Sequence, residues 1–523
     1  MRSNFFQAIR VMFILPKKHK ASLILLLVLF QLCYFELKSQ TISNIHAVEI
    51  CDNEIDDDGD GLLDCFDPDC CDFCSDFYYQ TCYDNKSCSC TFPDSISVFY
   101  SNLRLRNYSA LVAGDLNHDG KIELVSPMND GSLSIFDAQA NEKFNNSSFV
   151  FIHSAIADID RNDFGEIYTI IRISNTKLGL VCLDHQANVL FQSNFIWDFI
   201  DEQEIQIIDL EEDGDPEIFI SPHLFRAKDG VYISSIPSNL PKGQHKAEHQ
   251  IVQTAIADIL PSSFCPSCGG LEIICGNTVY SYDPMTSSLL SQVSVASMYN
   301  EGTSSIADID MDGDLDIISS VVNADGTRHI YTWEGENTTI LHDKVVNQQS
   351  GTQFYGSGVV TVANFDSDRF PEFAVTVTRS FRGECELLIL DHDFTLLWKV
   401  NLDEVSQSVP VAFDFCKDDI DELVLSTIDS LFIFDVGKKS VAASIKCGSF
   451  TLYDRPLVLD IDGDGSAEIA CDCLVNLSSV GKFTVIESSN ASWANSRKSV
   501  SQKTIVNNAY NDDLSIPKKR QDI

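Results

Sequence analysis

Residues 308–319 read DIDMDGDLDIIS, and the spacing of their acids decides the fold. Asp308, Asp310 and Asp312 stand at positions 1, 3 and 5, and their carboxylates converge on one point if the chain turns sharply. Gly313 at position 6 permits the positive φ that such a turn needs. Asp314 at position 7 offers its backbone carbonyl, and Asp316 at position 9 a carboxylate able to bind through both oxygens. Six or seven hard oxygens suit Ca²⁺, which tolerates irregular geometry, better than Mg²⁺, which demands an octahedron. An EF-hand shares the first half of this pattern but places its last acid at position 12, on a helix. Here the acid comes at position 9 and opens the β-branched run DIISSVV, so the loop joins two strands.

The pattern recurs six more times. Asp115 is followed by Asn117, Asp119, Lys121 and Glu123 at positions 3, 5, 7 and 9, and Asp158 by Asp160, Asn162, Phe164 and Glu166. Next come Asp209 with Glu211, Asp213, Asp215 and Glu217, and Asn364 with Asp366, Asp368, Phe370 and Glu372. The last two are Asp414 with Asp418, Ile420 and Glu422, and Asp460 with Asp462, Asp464, Ser466 and Glu468. Positions 7 (Lys121, Phe164, Asp215, Asp314, Phe370, Ile420, Ser466) are read as carbonyl donors. Cys416 replaces the position-3 ligand of the loop at Asp414, which predicts a weak or empty site there. Position 6 is Asp163, Arg369 and Asp419 in three loops, where the turn has no glycine to rely on.

Downstream of each loop comes a second signal, an apolar run broken by a polar turn, as in VCLDHQANVLF (181–191) and LFIFDVGKKSVAASI (431–445); each reads as a hairpin. One unit keeps this frame without the acidic loop: TAIADI ends at Asp258 and Ile259, then come LPSSFCPSCGG and LEIICG. Eight units result, starting at 115, 158, 209, 258, 308, 364, 414 and 460, with a period near 50 residues. Two strands around a loop plus one hairpin make a four-stranded sheet, the blade of an all-β propeller.

These units resemble the FG-GAP/VCBS repeats that form the propeller of integrin α subunits and of many bacterial surface proteins, over residues 96–492. The resemblance implies metal loops bridging the first two strands of each blade. It also implies seven blades as an alternative to the eight units counted.

The N-terminus predicts export. Lys17, Lys18 and Lys20 precede ASLILLLVLFQLCYF, about 15 mostly apolar residues, too short for a comfortable membrane span, so residues 1–40 read as a cleaved signal peptide with no transmembrane anchor afterwards. A secreted or cell-surface location follows, and with it disulfide-permissive cysteines. Eight of the 18 cysteines lie in residues 41–95: Cys51, Cys65, Cys70, Cys71, Cys74, Cys82, Cys88 and Cys90. They bracket another loop, with Asp56, Asp58, Asp60 and Asp64 as acids and Leu62 at position 7. This segment resembles the Cys-bracketed acidic motifs that precede repeat domains in secreted proteins of Bacteroidetes-type bacteria. It reads as a small calcium-and-disulfide module, with zinc as the rival occupant of the cysteines. Cys265 and Cys268 stand where the fourth unit lacks its acids. A disulfide pinning that loop is the reading adopted; a redox centre or half a zinc site is the alternative.

Asp plus Glu number 77 against 36 Lys plus Arg, a net charge of −41, which argues against a nucleic-acid partner. Catalytic signals are thin. His245, Glu248 and His249 match a zinc-protease pattern that needs a helix, but Pro241 and Gly243 before it and a strand after it leave no room for one. The expectation is a non-catalytic module that binds an extracellular protein or glycan. A calcium-dependent carbohydrate-active enzyme, such as a polysaccharide lyase, is the alternative that the resemblance implies. The polar tail, 493–523, reads as a strap over the last blade or as a linker.

Overall fold

The computed structural model describes residues 96–100, 111–500 with gaps mainly at the connections between sheets, and residues 514 and 516. The chain divides into two compact units, Met1–Ser87 and Cys88–Ile523, and the described residues all lie in the second. The expected signal peptide, the Asp56–Asp64 loop, the eight clustered cysteines and the His245–His249 pattern lie outside them.

Every described element is a strand, and the strands form eight four-stranded antiparallel sheets. Seven sheets are sequential meanders. The fifth, for example, runs Gly302–Ala307, Asp316–Val322, Thr327–Glu334 and Ile340–Gln348. First strands of neighbouring sheets touch one another, which arranges the sheets as blades in a ring with the first strands innermost. The protein is an eight-bladed β-propeller, one blade per repeat unit, so the seven-blade alternative falls.

Sequence patterning explains the order within a blade. Second and third strands are buried on both faces against neighbouring blades, so they read as unbroken apolar runs such as CELLIL at Cys385–Leu390. Outer strands are wetted on one side and alternate, as in LLWKVNL at Leu396–Leu402. The core therefore lies between blades: Ile309, Ile318 and Ile330 of blade 5 pack with Phe373, Val375 and Leu388 of blade 6, and the same occurs around the ring.

The eighth blade departs from expectation. Its own unit supplies Leu457–Leu459, Glu468–Cys473 and Lys482–Ser488, but the outer strand is Ile96–Tyr100, paired antiparallel from Ile96↔Ser488 to Tyr100↔Thr484. The two ends of the repeat region thus close the ring in one sheet. The tail follows as a strap: Val500 pairs with Ala113 in blade 1, the carbonyl of Leu514 accepts Asp158 N–H in blade 2, and Ile516 packs in the core of blades 2 to 4.

Candidate metal centres

Because the strands of a blade alternate in direction, all loops between first and second strands lie at one end of the ring. The acidic loops therefore share one face with the hairpin turns between third and fourth strands; Phe164 and Phe370 stack on His185 and His392 of those turns at 4.4 and 4.2 Å.

Within a loop the geometry follows from hydrogen bonds. In the loop at Asp308, Oδ1 and Oδ2 of that residue accept the N–H groups of Asp312 (3.1 Å) and Gly313 (3.0 Å). Asp312 accepts Asp314 N–H at 3.0 Å, and Asp316 accepts Ile309 N–H at 3.0 Å. The same set holds at Asp115, Asp158, Asp209 and Asp414, with position 1 gathering backbone donors and position 9 anchoring the residue after position 1; at Asp460 the Oδ1 accepts Gly463 N–H instead, and Asp464 N–H goes to Asp462. The expected left-handed turn at position 6 appears at Gly120, Asp163, Gly214, Gly313, Asp419 and Gly465. Position 4 is left-handed too, at His118, Arg161, Glu212, Met311, Lys417 and Gly463. Two of the three loops without glycine at position 6 turn regardless, since Asp tolerates that conformation.

The loop at Asn364 does not. Neither Ser367 nor Arg369 has positive φ. Asn364 turns instead to blade 7, its N–H bonding Asp421 Oδ2 (3.1 Å) and its amide nitrogen the carbonyl of Asp419 (2.6 Å).

Four loops bring three carboxylates to one point, with ligand oxygens within 4.8 Å of one another: Asp158, Asp160 and Glu166; Asp308, Asp310 and Asp316; Asp366, Asp368 and Glu372; Asp460, Asp462 and Asp464. The loops at Asp115, Asp209 and Asp414 form no such triad among the described residues. Position 3 is Asn117 in the first, whose amide nitrogen bonds Glu123 (2.9 Å), the longer Glu211 in the second, and the disulfide-bonded Cys416 in the third.

Burial and neighbouring carboxylates raise the position-9 acids far above their ordinary range: Glu217 and Glu468 to about 9, Glu166 and Glu422 to about 8, Glu123, Asp316 and Glu372 to about 7. Such loops are electrostatically unfavourable when ionised and lacking a counter-charge. Asn364 Oδ1 and Glu372 Oε1 in the blade-6 loop, and Ser466 Oγ in the blade-8 loop, are buried without a hydrogen-bond partner, against the usual satisfaction of buried polar atoms. An all-oxygen, multiply anionic donor set with orphaned acceptors fits a hard divalent cation.

Blade 4 contains a position the sequence reading missed. Glu272 opens its second strand, as the position-9 acids do elsewhere, and its Oε2 accepts the N–H groups of Ile259 and Leu260, each at 3.1 Å. Ser281 Oγ donates to the other oxygen at 3.2 Å. The signal was available: every second strand starts with Glu or Asp. The adjoining loop is closed by a Cys265–Cys268 disulfide. A second bridge, Cys447–Cys473, joins the end of blade 7 to blade 8, with Cys471 Sγ 3.6 Å from each of its sulfurs.

No protein-family profile matches the chain, and no curated protein sequence does. Among solved structures it is similar to the V. cholerae biofilm matrix protein Bap1, with a TM-score of 0.59, 15% identity, and coverage of 82% of this chain and 97% of that one. The Dos1 propeller (TM-score 0.45, 10% identity, 75% of this chain and 94% of that one) and BamB from Moraxella catarrhalis (0.39, 10%, 75% and 98%) also match. At such identities the likeness to Bap1 establishes the propeller fold alone.

Proposed function

We propose that this chain is an exported FG-GAP/VCBS-type propeller whose loops bind calcium as a structural ion, and that it acts by binding an extracellular protein or glycan rather than by catalysis. The observation that carries the metal reading is the set of three-carboxylate clusters in four loops on one face, with buried oxygens lacking partners in the loops at Asn364 and Asp460. The loops at Asp158, Asp308, Asn364 and Asp460 supply the best ligand sets; the loop at Asp414, with its sulfur at position 3, supplies the poorest. Calcium there neutralises clustered carboxylates and ties the first two strands of a blade together. Support for a matrix or surface setting comes from the likeness to a biofilm matrix protein. With the loops used for structure, the opposite face is left for recognition.

Each ion bound only by the folded chain stabilises it by ~2.7 kcal/mol at a hundredfold excess over Kd. Thermal melts in calcium and in EGTA, with the bound metal counted by mass spectrometry, test the reading. A large fall in Tm on chelation is expected; superimposable melts would sink it.

A further inference from the structure

At the end of the ring opposite the metal loops, between blades 1 and 2, lies a cavity of about 490 Å³. Its walls come from the turn after the second strand of blade 1 (Asp130, Ser132), the connection between the blades (Ser147, Ser148, Phe149, Val150) and the end of the second strand of blade 2 (Arg172, Ile173). The size suits a small ligand or one to two sugar units.

Its chemistry is mixed and fixed. Asp130 Oδ1 accepts the N–H and the hydroxyl of Ser132 at 2.9 and 2.7 Å, bonds that hold its carboxyl below the usual range and keep it ionised. Arg172 lies with its guanidinium carbon 5.1 Å from the centre of the Phe199 ring, and its Nε is buried with no hydrogen-bond partner. Val150 and Ile173 remain about 40% exposed, and the half-buried Phe149 is braced edge-on by Phe151 at 5.9 Å. One anion and one cation cancel, so the cavity has no net charge with which to select a polyanion.

We propose that this cavity binds a neutral hexopyranose unit of a glycan, an inference that rests on the binding-module reading and narrows it to one site and one ligand class. A pyranose presents a rim of hydroxyls, each both donor and acceptor, around an apolar C–H face. Arg172, which lines the cavity, donates from its guanidinium group to hydroxyl oxygens. Asp130 accepts from a neighbouring hydroxyl, Ser147 and Ser148 bond the rim, and the C–H face lies on Phe149 and Ile173.

Saturation-transfer NMR on the full chain in calcium tests this with the methyl glycosides of glucose, galactose, mannose and N-acetylglucosamine. At least one should receive saturation, strongest at its ring C–H protons. Arg172→Ala and Phe149→Ala should weaken its affinity roughly tenfold or more, the loss typical of a removed charged hydrogen bond or ring contact. Arg172→Lys, which keeps the charge but not the planar fork of donors, should also weaken it. Melts in calcium confirm that each variant is folded. Saturation of no glycoside overturns the proposal, as does stronger, salt-sensitive binding of methyl glucuronide, or a capped tetrapeptide that binds where no glycoside does. Glycoside binding unaffected by all three variants overturns this site while leaving the binding-module reading intact, and the chelation melts report on calcium separately.

Discussion

Outside blades 1 and 4, one oxygen of each position-9 acid accepts a backbone N–H and no hydrogen bond is seen to the other. In blade 5, Asp316 holds the N–H of Ile309 with Oδ2, and Asp310, for which no hydrogen bond is seen within the loop, adds repulsion to it. Asp310→Asn should therefore have opposite signs in two conditions: in EGTA the melt should stay level or rise, and in calcium it should fall by about 1–3 kcal/mol for the lost ligand. Equal falls in both conditions would mean that Asp310 has a structural role without metal. Acid titration gives a second test. Carboxylates raised from 4.5 to about 9 at Glu217 and Glu468, and to about 8 at Glu166 and Glu422, bind protons more tightly in the folded state than in the unfolded one. Stability of the metal-free protein should thus be highest near pH 5 and decline as pH rises through 8. With calcium the trend should reverse over this range, because the ion competes with protons for the same oxygens. A metal-free Tm that climbs between pH 5 and pH 8 would refute the assignment. Glu272 was missed because the motif was read at a fixed spacing: blade 4 keeps a first acid at Asp258 but places its last one 14 residues on, against eight from Asp308 to Asp316.

Strands and loops were legible where local chemistry sets them. Asp tolerates left-handed φ, so Asp163 and Asp419 keep the turn, whereas Arg369 does not, and Asn364 turns to the neighbouring blade. Nothing within residues 364–372 encodes that contact, which depends on Asp419 and Asp421 some 55 residues on. The cysteines divide the same way. Cys265 and Cys268 are close in sequence, so their pairing could be anticipated; Cys447 and Cys473 meet only because blade 7 abuts blade 8. Peptide mapping without reduction should recover both bridges. Because Cys471 lies 3.6 Å from Cys447, it can take over when Cys473 is lost. Cys473→Ser should then yield a Cys447–Cys471 bridge and little loss of stability, while Cys447→Ser, which leaves no partner across the blades, should cost about 2–4 kcal/mol. Equal losses for the two variants would show that Cys471 cannot substitute.

At the scale of the whole ring, a period near 50 residues made eight blades countable, but closure was not legible, because Ile96–Tyr100 lies almost 400 residues from its partner strand and carries no repeat signature of its own. The strap was half legible: a polar tail with a few apolar residues reads equally as linker or strap, and only the surface it meets decides. That surface is the metal-loop face. Trp493 is 2% exposed and sits edge-on to Phe415 at 4.8 Å, inside the loop at Asp414. The carbonyls of Ala494, Arg497 and Leu514 accept the N–H groups of Ala467, Asp460 and Asp158, so position 1 of two candidate metal loops is fixed from below by the tail. Truncation after residue 492 should accordingly do two things. Loss of the buried Trp493, Val500, Leu514 and Ile516 side chains should lower Tm with or without calcium, Trp493→Ala alone costing about 3–5 kcal/mol. Release of Asp158 and Asp460 should also loosen their loops, so the stabilisation gained on adding calcium should be smaller in the truncated chain than in the full one. If truncation lowers Tm but leaves the calcium increment unchanged, the strap contributes packing alone; if it leaves Tm unchanged, the buried Trp493 contact does not form in solution.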